Sequence, residues 1–232
     1  MALTKPDGLL AAGGDLRPER LIHAYRQGIF PWYEDDQPIL WWSPNPRAVI
    51  DPKRVHISRS MAKALRQTKL RVTCDTAFEQ VMRQCAAPRG GNPGTWITSD
   101  MLQAYSQLHR LGVAHSVEVW SDELLVGGLY GLALGRVFFG ESMFAQQTNA
   151  SKIGFITLAH HLKNWDFALI DGQVSSDHIN SLGAFELPRS DFAAQLQQLS
   201  GSGSTSHWVT NTVTLEIPRG RQTDSLALQS IE

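Results

Sequence analysis

Between Ser116 and Phe144 the chain alternates with period two across two turn signals, which fits an antiparallel meander and no helix. Ser116-Val117-Glu118-Val119-Trp120 leads into a turn at Ser121-Asp122-Glu123, then the run Leu124 to Leu134, a second turn at Gly135 and the apolar triplet Val137 to Phe139. Helical patterns flank this sheet. A basic segment at 59–67, a stretch through Val81, Met82 and Cys85 opened by the capping pattern Thr76-Ala77-Phe78-Glu79, and a run from Ser99 to Leu111 with Leu102, Tyr105 and Leu108 on one stripe precede it. Pro88 to Gly94 ends the second of these, and Gly112 closes the third. After the meander, Asn149-Ala150-Ser151 caps a helix through Phe155, Leu158, Ala159 and Leu162, and Phe167 to Val174 reads as a buried strand. The result is a mixed α+β chain around a central, largely antiparallel sheet.

The N-terminal part differs in character. Asp15 before Arg17-Pro18-Glu19 reads as an N-cap with proline in the first turn, and Leu21, Ile22 and Tyr25 form a short amphipathic helix that stops at Gly28. Five prolines between residues 29 and 56 then allow only turns and brief strands. The reading is a small N-terminal unit over residues 1–61, a larger unit over 62–199 with short helices at Asp177 to Leu182 and Ser190 to Leu199, and a linker and tail over 200–232. The tail opens with a serine/glycine tract from Ser200 to Ser206 and holds one alternating stretch from Val209 to Ile217.

Composition excludes several classes. With 42% hydrophobic and 19% charged residues the chain suits a folded domain. No secretory signal or membrane span is visible, so a cytoplasmic location is expected, with no membrane partner. Cys74 and Cys85 lack a C-x-x-C spacing and the eight histidines lack H-E-x-x-H. Gly13-Gly14 is a tight turn without a nucleotide fingerprint, and neither a metal nor another cofactor is expected. The formal net charge is −1, yet residues 47–71 carry Arg47, Lys53, Arg54, Arg59, Lys63, Arg66, Lys69 and Arg71 against only Asp51. Such a run is either a solvated face or a phosphate-binding patch.

Two apolar runs hold polar side chains that are costly to bury unpaired. These are Phe138-Phe139-Gly140-Glu141-Ser142-Met143-Phe144 and Leu169-Ile170-Asp171-Gly172-Gln173-Val174. On an extended strand Asp171 and Gln173 share a face, with Gly172 opening room behind them. A site is expected there, although a buried carboxylate satisfied by backbone amides or by Lys152 would leave the same trace at Glu141.

Beside these stand Gly-Ile-Phe-Pro-Trp at 28–32, Trp-Trp-Ser-Pro-Asn-Pro-Arg at 41–47, His-Ile-Ser-Arg-Ser-Met at 56–61, Gly-Thr-Trp-Ile-Thr at 94–98 and Ala-His-Ser-Val-Glu-Val-Trp at 114–120. In this order, with the segments around Glu141 and Asp171, they resemble the leucyl/phenylalanyl-tRNA-protein transferases from about Gly8 to about Arg189. The resemblance implies a GNAT-type, acetyltransferase-like acyl-transfer domain. It also implies transfer of Leu or Phe, with Met also expected, from aminoacyl-tRNA to the α-amine of an N-terminal Arg or Lys, marking that protein for N-degron degradation.

By the same resemblance Asp171, Gln173 and Glu141 are the catalytic candidates. Gln173 would aim the attacking amine, Asp171 would hold the amide and take or relay the proton, and Glu141 would bind the donor's amino group or the cationic acceptor. Leu129, Phe138, Phe155, Leu162 and Ile170 match the donor pocket, each being equally a core position, with Gly140, Ser142 and Met143 beside them. Trp32 and Trp96, with Tyr25, match the stacking surface for the terminal adenosine. Arg47, Arg54, Arg59, Lys63, Arg66, Lys69 and Arg71 would grip tRNA phosphates without reading sequence.

Two other readings stay open. An acyl-CoA-dependent N-acetyltransferase would share the fold, but the stretch Ala145-Gln146-Gln147-Thr148-Asn149-Ala150 has no glycine for a pyrophosphate cradle. A non-catalytic tRNA-binding protein would leave Glu141, Asp171 and Gln173 without a purpose.

Overall fold

The structure is a computed structural model that describes residues 2–3, 7–87, 97–201, 207–209 and 213–219. Trp96, the helix-ending stretch Pro88 to Gly94, most of the 200–206 linker and residues 220–232 lie outside these. The elements run in the order β1 (Leu9–Ala12), α1 (Pro18–Tyr25), β2 (Phe30–Pro31), β3 (Leu40–Trp42), β4 (Arg47–Ile50), α2 (Arg59–Gln67), β5 (Arg71–Cys74), α3 (Phe78–Ala86), α4 (Ser99–Arg110) and β6 (Ala114–Ser121). They continue with β7 (Leu124–Leu134), β8 (Val137–Ala145), α5 (Ala150–Asn164), β9 (Leu169–Gln173), α6 (Asp177–Asn180), β10 (Phe185–Leu187), α7 (Arg189–Leu199) and β11 (Thr214–Leu215).

The α+β reading holds, with a small sheet beside a large one. A three-stranded sheet, β1-β3-β2, lies within residues 9–42, and an eight-stranded sheet has the order β10-β4-β9-β8-β7-β6-β5-β11. Every pairing in the large sheet is antiparallel except β8 with β9. Strand β4 lies in the large sheet and Met61 and Leu65 of α2 join its core. Residues 47–61, grouped with the N-terminal unit on sequence, therefore pack with the larger one.

Both faces of the large sheet are covered. On one side Leu21 and Tyr25 of α1, Phe30, and the apolar stripes of α3 and α4 meet Tyr130 and Phe139; on the other, α2 and α5 pack onto Val117, Val119, Leu129 and Phe138. Residues 207–209 and 213–219 are no free tail, because Trp208 and Leu215 are buried in the second cluster and β11 extends the sheet beyond β5.

Local capping departs from the sequence pattern in two places. Asp15 does not cap α1: the helix starts two residues later, and its carboxylate instead binds the Arg17 and Arg20 side chains. Thr76 does not form its box with Glu79, since its hydroxyl donates to Glu118 of β6 at 2.7 Å. That buried carboxylate also accepts from Thr73, Ser116 and the Ala77 amide, and so supplies the start of α3 from a distant strand.

Strand β8 carries a bulge at Glu141. Gly131 faces Gly140 and Tyr130 faces Ser142, so Glu141 is one residue more than β7 can pair. An extra residue bends a strand and re-aims its side chain. Gly131 makes the bend possible, because a Cβ there would lie 2.1 Å from the Phe139 carbonyl oxygen and 2.6 Å from the Phe138 ring. Gly131→Ala is expected to cost about 1 to 3 kcal/mol through overpacking. Urea unfolding measures it, and an unchanged midpoint would show that the bulge relaxes freely.

Candidate active site

Strands β8 and β9 pair in parallel only from Val137/Leu169 to Phe139/Asp171, and then separate. The polar residues singled out on sequence stand where they part. Gly172 is an extra residue against β4, and Gln173 takes a left-handed backbone with φ 57°. The expectation that Asp171 and Gln173 act side by side on a regular strand face is therefore corrected: a bulge separates them, and their side chains engage different partners, Arg47 and Glu141.

Asp171 is fully buried and paired with Arg47. The guanidinium donates from Nε to Oδ1 at 2.8 Å and from Nη2 to Oδ2 at 2.6 Å, and its Nη1 donates to the Gly28 carbonyl at 3.0 Å. The cation also sits over the rings of Phe30 and Phe192, 5.0 and 4.7 Å from their centroids. Two sequence expectations change as a result. Arg47 is 1% exposed and cannot reach a phosphate, and Asp171 is held by a cation rather than free to hold the Gln173 amide or take a proton from a substrate. Asp171 instead accepts the backbone N–H of Gln173 at 3.0 Å, which fixes the turn that presents the amide.

The Gln173 side chain reaches across the gap, its Nε2 lying 3.5 Å from Glu141 Oε1. The other carboxyl oxygen of Glu141 accepts from the Tyr105 hydroxyl at 3.3 Å, and Tyr105 in turn shares a short hydrogen bond with Tyr25. Tyr130, also fully buried, has no hydrogen-bond partner for its hydroxyl among the described residues. Burial pushes the Glu141 carboxyl up to about 7, and the nearby Asp171 charge adds to that. The Tyr25 and Tyr105 hydroxyls and the Arg47 guanidinium pull the other way. Burial, followed by the Glu141 charge, raises all three tyrosines well above their ordinary range, so their hydroxyls keep their protons.

The expectation that Tyr25 stacks on a base is also corrected, because its ring is buried edge-on against Phe139 and its hydroxyl is engaged by Tyr105. On sequence Tyr105 reads only as part of an apolar helix stripe, and nothing in that stripe distinguishes a hydroxyl aimed at a carboxyl. Trp32 remains available. It is 47% exposed, leans on Trp42 at 5.7 Å, and rims a cavity of about 210 Å³ with Phe30, Pro31, Glu141, Gly172, Gln173 and Val174.

Leu129, Phe138, Phe155, Leu162 and Ile170, the positions expected to form a donor pocket, lie in one buried cluster, against which the partly exposed Met143 packs from β8. Gly140 stands where the strands begin to part, and Ser142 faces Tyr130 across the ladder. With Arg47 removed, Lys53, Arg54, Arg59, Lys63, Arg66, Lys69 and Arg71 are all exposed, and Arg59, Lys63 and Arg66 share one face of α2. Among the described residues no group of three His, Cys, Asp or Glu side chains could hold a metal ion, and no helix is long and apolar enough to cross a membrane.

Residues 49–197 match the family described as leucyl/phenylalanyl-tRNA protein transferase, and residues 14–45 match that family's N-terminal domain. The chain belongs to the leucyl/phenylalanyl-tRNA protein transferase family. The two matched stretches meet between Asn45 and Val49, where the small sheet gives way to the large one. Proteins named leucyl/phenylalanyl-tRNA–protein transferase are similar over most of their length. That of Ectopseudomonas mendocina is 58% identical over 208 residues, covering 90% of this chain and 92% of its own. That of Stutzerimonas stutzeri is 56% identical over 207 residues, covering 89% and 92%. That of Pseudomonas syringae pv. tomato is 60% identical over 195 residues, covering 84% and 85%.

Proposed function

We propose that this chain is the aminoacyltransferase its family name describes, moving Leu or Phe, and Met through the same pocket, from the 3′ end of a tRNA to the α-amine of an N-terminal Arg or Lys. The observation that carries the reading is the Glu141 carboxyl, pushed to about 7 and joined to the Gln173 amide at the mouth of the cavity. An α-amine has a pKa near 7.7 to 8.0, so a carboxylate titrating at about 7 is a matched proton acceptor for it.

The Gln173 amide nitrogen is engaged by Glu141, which leaves its oxygen to accept an N–H of the incoming amine and direct the lone pair at the ester carbonyl. The C–N bond forms, Glu141 takes the proton lost by nitrogen, and it returns that proton to the ribose oxygen as the bond between this oxygen and the acyl carbon breaks. Asp171 acts through the Gln173 backbone and touches no substrate. The ester supplies the driving force, so transfer needs neither ATP nor coenzyme A.

Trp32 is the adenosine stacking surface in this reading, and the apolar cluster behind Met143 receives the donor side chain. One methylene is worth about 1 to 3 kcal/mol in such a pocket, so rejection of Ile and Val must come from a clash at the β-branch. A cytoplasmic location, where aminoacyl-tRNA is made, and degradation of the modified acceptor belong to the same proposal.

The experiment is transfer of radiolabelled Leu from leucyl-tRNA to a protein beginning with Arg, in excess EDTA and without coenzyme A, beside isoleucyl-tRNA as donor. Ribonuclease-resistant label from leucyl-tRNA alone is expected. A requirement for coenzyme A or for one restored metal would contradict the reading. Charge reversal on α2, Arg59→Glu with Lys63→Glu, is expected to weaken full-length aminoacyl-tRNA while sparing an aminoacyl-adenosine analogue. The log–log salt slope should fall by roughly 0.7 to 0.9 per lost phosphate contact. An unchanged slope would make α2 only a solvated face.

A further inference from the structure

The catalytic groups account for the acceptor's α-amine and leave the rest of that polypeptide unplaced. Strand β8 offers a place. It continues against β7 as far as Ala145, opposite Gly127, whereas its parallel pairing with β9 stops at Phe139. From Gly140 to Ala145 one backbone edge of β8 therefore has no strand beside it among the described residues. An unpaired strand edge is a template for another extended chain.

A groove of about 550 Å³ runs along this edge, lined by Gln84 of α3, Ala87 just after that helix, Met143 to Ala145 of β8, Gln146, Ser151 of α5 and His178 of α6. Helices α3 and α5 lie on opposite faces of the sheet, so a groove that both of them line runs along the strand edge rather than over a face. Met143 packs toward one core and Phe144 toward the other, which leaves the β8 backbone as the groove's floor. Among the described residues the lining holds no Lys or Arg, which does not suit a phosphate backbone.

We infer that the acceptor polypeptide, beyond its first residue, binds as an added strand on the free edge of β8 between Gly140 and Ala145. This rests on the transferase reading and specifies how the acceptor is held. The groove follows the strand that carries the site, since Glu141 at the catalytic cavity lies two residues before Met143 in the groove lining. At about 3.3 Å per residue that segment spans roughly four acceptor residues after the N-terminal one. Main-chain pairing supplies affinity without reading side chains. The first residue of the acceptor then sets specificity, and the sequence behind it is free to vary.

The test uses the full chain, leucyl-tRNA, a short Arg-initiated peptide, and versions of it N-methylated at one backbone position at a time. Methylation at alternate positions is expected to raise the acceptor KM about tenfold, the loss of one well-made main-chain contact, with little change at the positions between. Ala87→Trp, at an exposed position that fills the groove, is expected to raise the KM of the peptide by a similar factor. It should leave arginine amide, too short to enter the groove, and leucyl-tRNA unchanged. A flat methylation scan overturns the inference, as does an Ala87→Trp effect on leucyl-tRNA in place of the peptide. Failure to label either unmodified acceptor overturns the transferase reading and the inference with it.

Discussion

Arg47→Met is expected to remove about 3 to 5 kcal/mol of folding stability, because it leaves the Asp171 carboxylate buried without its cation. The two side chains are 1% and 0% exposed and share two hydrogen bonds, and no other cation contacts Asp171 among the described residues. Apolar groups of similar size often replace a buried pair without loss, so adding Asp171→Leu to Arg47→Met should recover much of the stability. Transfer should not recover with it. The Gln173 amide would lose the carboxylate oxygen that its backbone N–H binds, and with it the left-handed turn that presents the side chain. Urea unfolding at neutral pH, with transfer rates for the single and double variants, reads both effects. A single variant within 1 kcal/mol of the parent, on the scale of an exposed pair, would contradict the buried-pair account.

Glu141→Gln is expected to act on rate and stability with opposite signs. Loss of the proton acceptor should slow the chemical step roughly a hundred- to ten-thousandfold. For stability, the folded carboxyl titrates at about 7 against an ordinary 4.5, so between those values the folded state keeps a proton that the unfolded chain releases. The contribution is fully present below the ordinary value and is lost as pH rises through about 7. It amounts to at most roughly 3 kcal/mol. The variant lacks this loss. It should match the parent near pH 4.5 and be the more stable protein at pH 8, as expected where a site is kept strained for function. Parallel unfolding curves across that range would show that the carboxyl is not perturbed by its surroundings.

Periodicity and turn chemistry made much of this fold legible. The bounds of β7, Leu124–Leu134, and of α2, Arg59–Gln67, come from local pattern, since each element announces itself within its own length. Strands β4 and β5 do not: four residues each, without an adjacent hairpin partner, they gain their strand character from β9 and β6. Thr76 shows the same competition, its local cap displaced by a carboxylate from another strand.

At the site, Glu141, Asp171 and Gln173 stood out because each is polar inside an apolar run. Their division of labour did not, because it depends on long-range contacts and on two bulges. Arg47 belonged by linear charge count to a basic cluster, while its partner lies 124 residues away. Tyr25 and Tyr105 follow the apolar stripes of α1 and α4, and only the fold turns their hydroxyls toward a carboxyl.

The most direct test of the account is the single-turnover rate of leucyl transfer to an Arg-initiated peptide, measured from below pH 6 to above pH 8 for the parent and for Glu141→Gln. Below about pH 7 both the amine and Glu141 must lose a proton before attack, so the parent rate should fall with a log–log slope approaching two. The variant, slower throughout, should show a slope of one from the amine alone. A variant that keeps the parent's rate and its slope would show that the proton does not pass to Glu141.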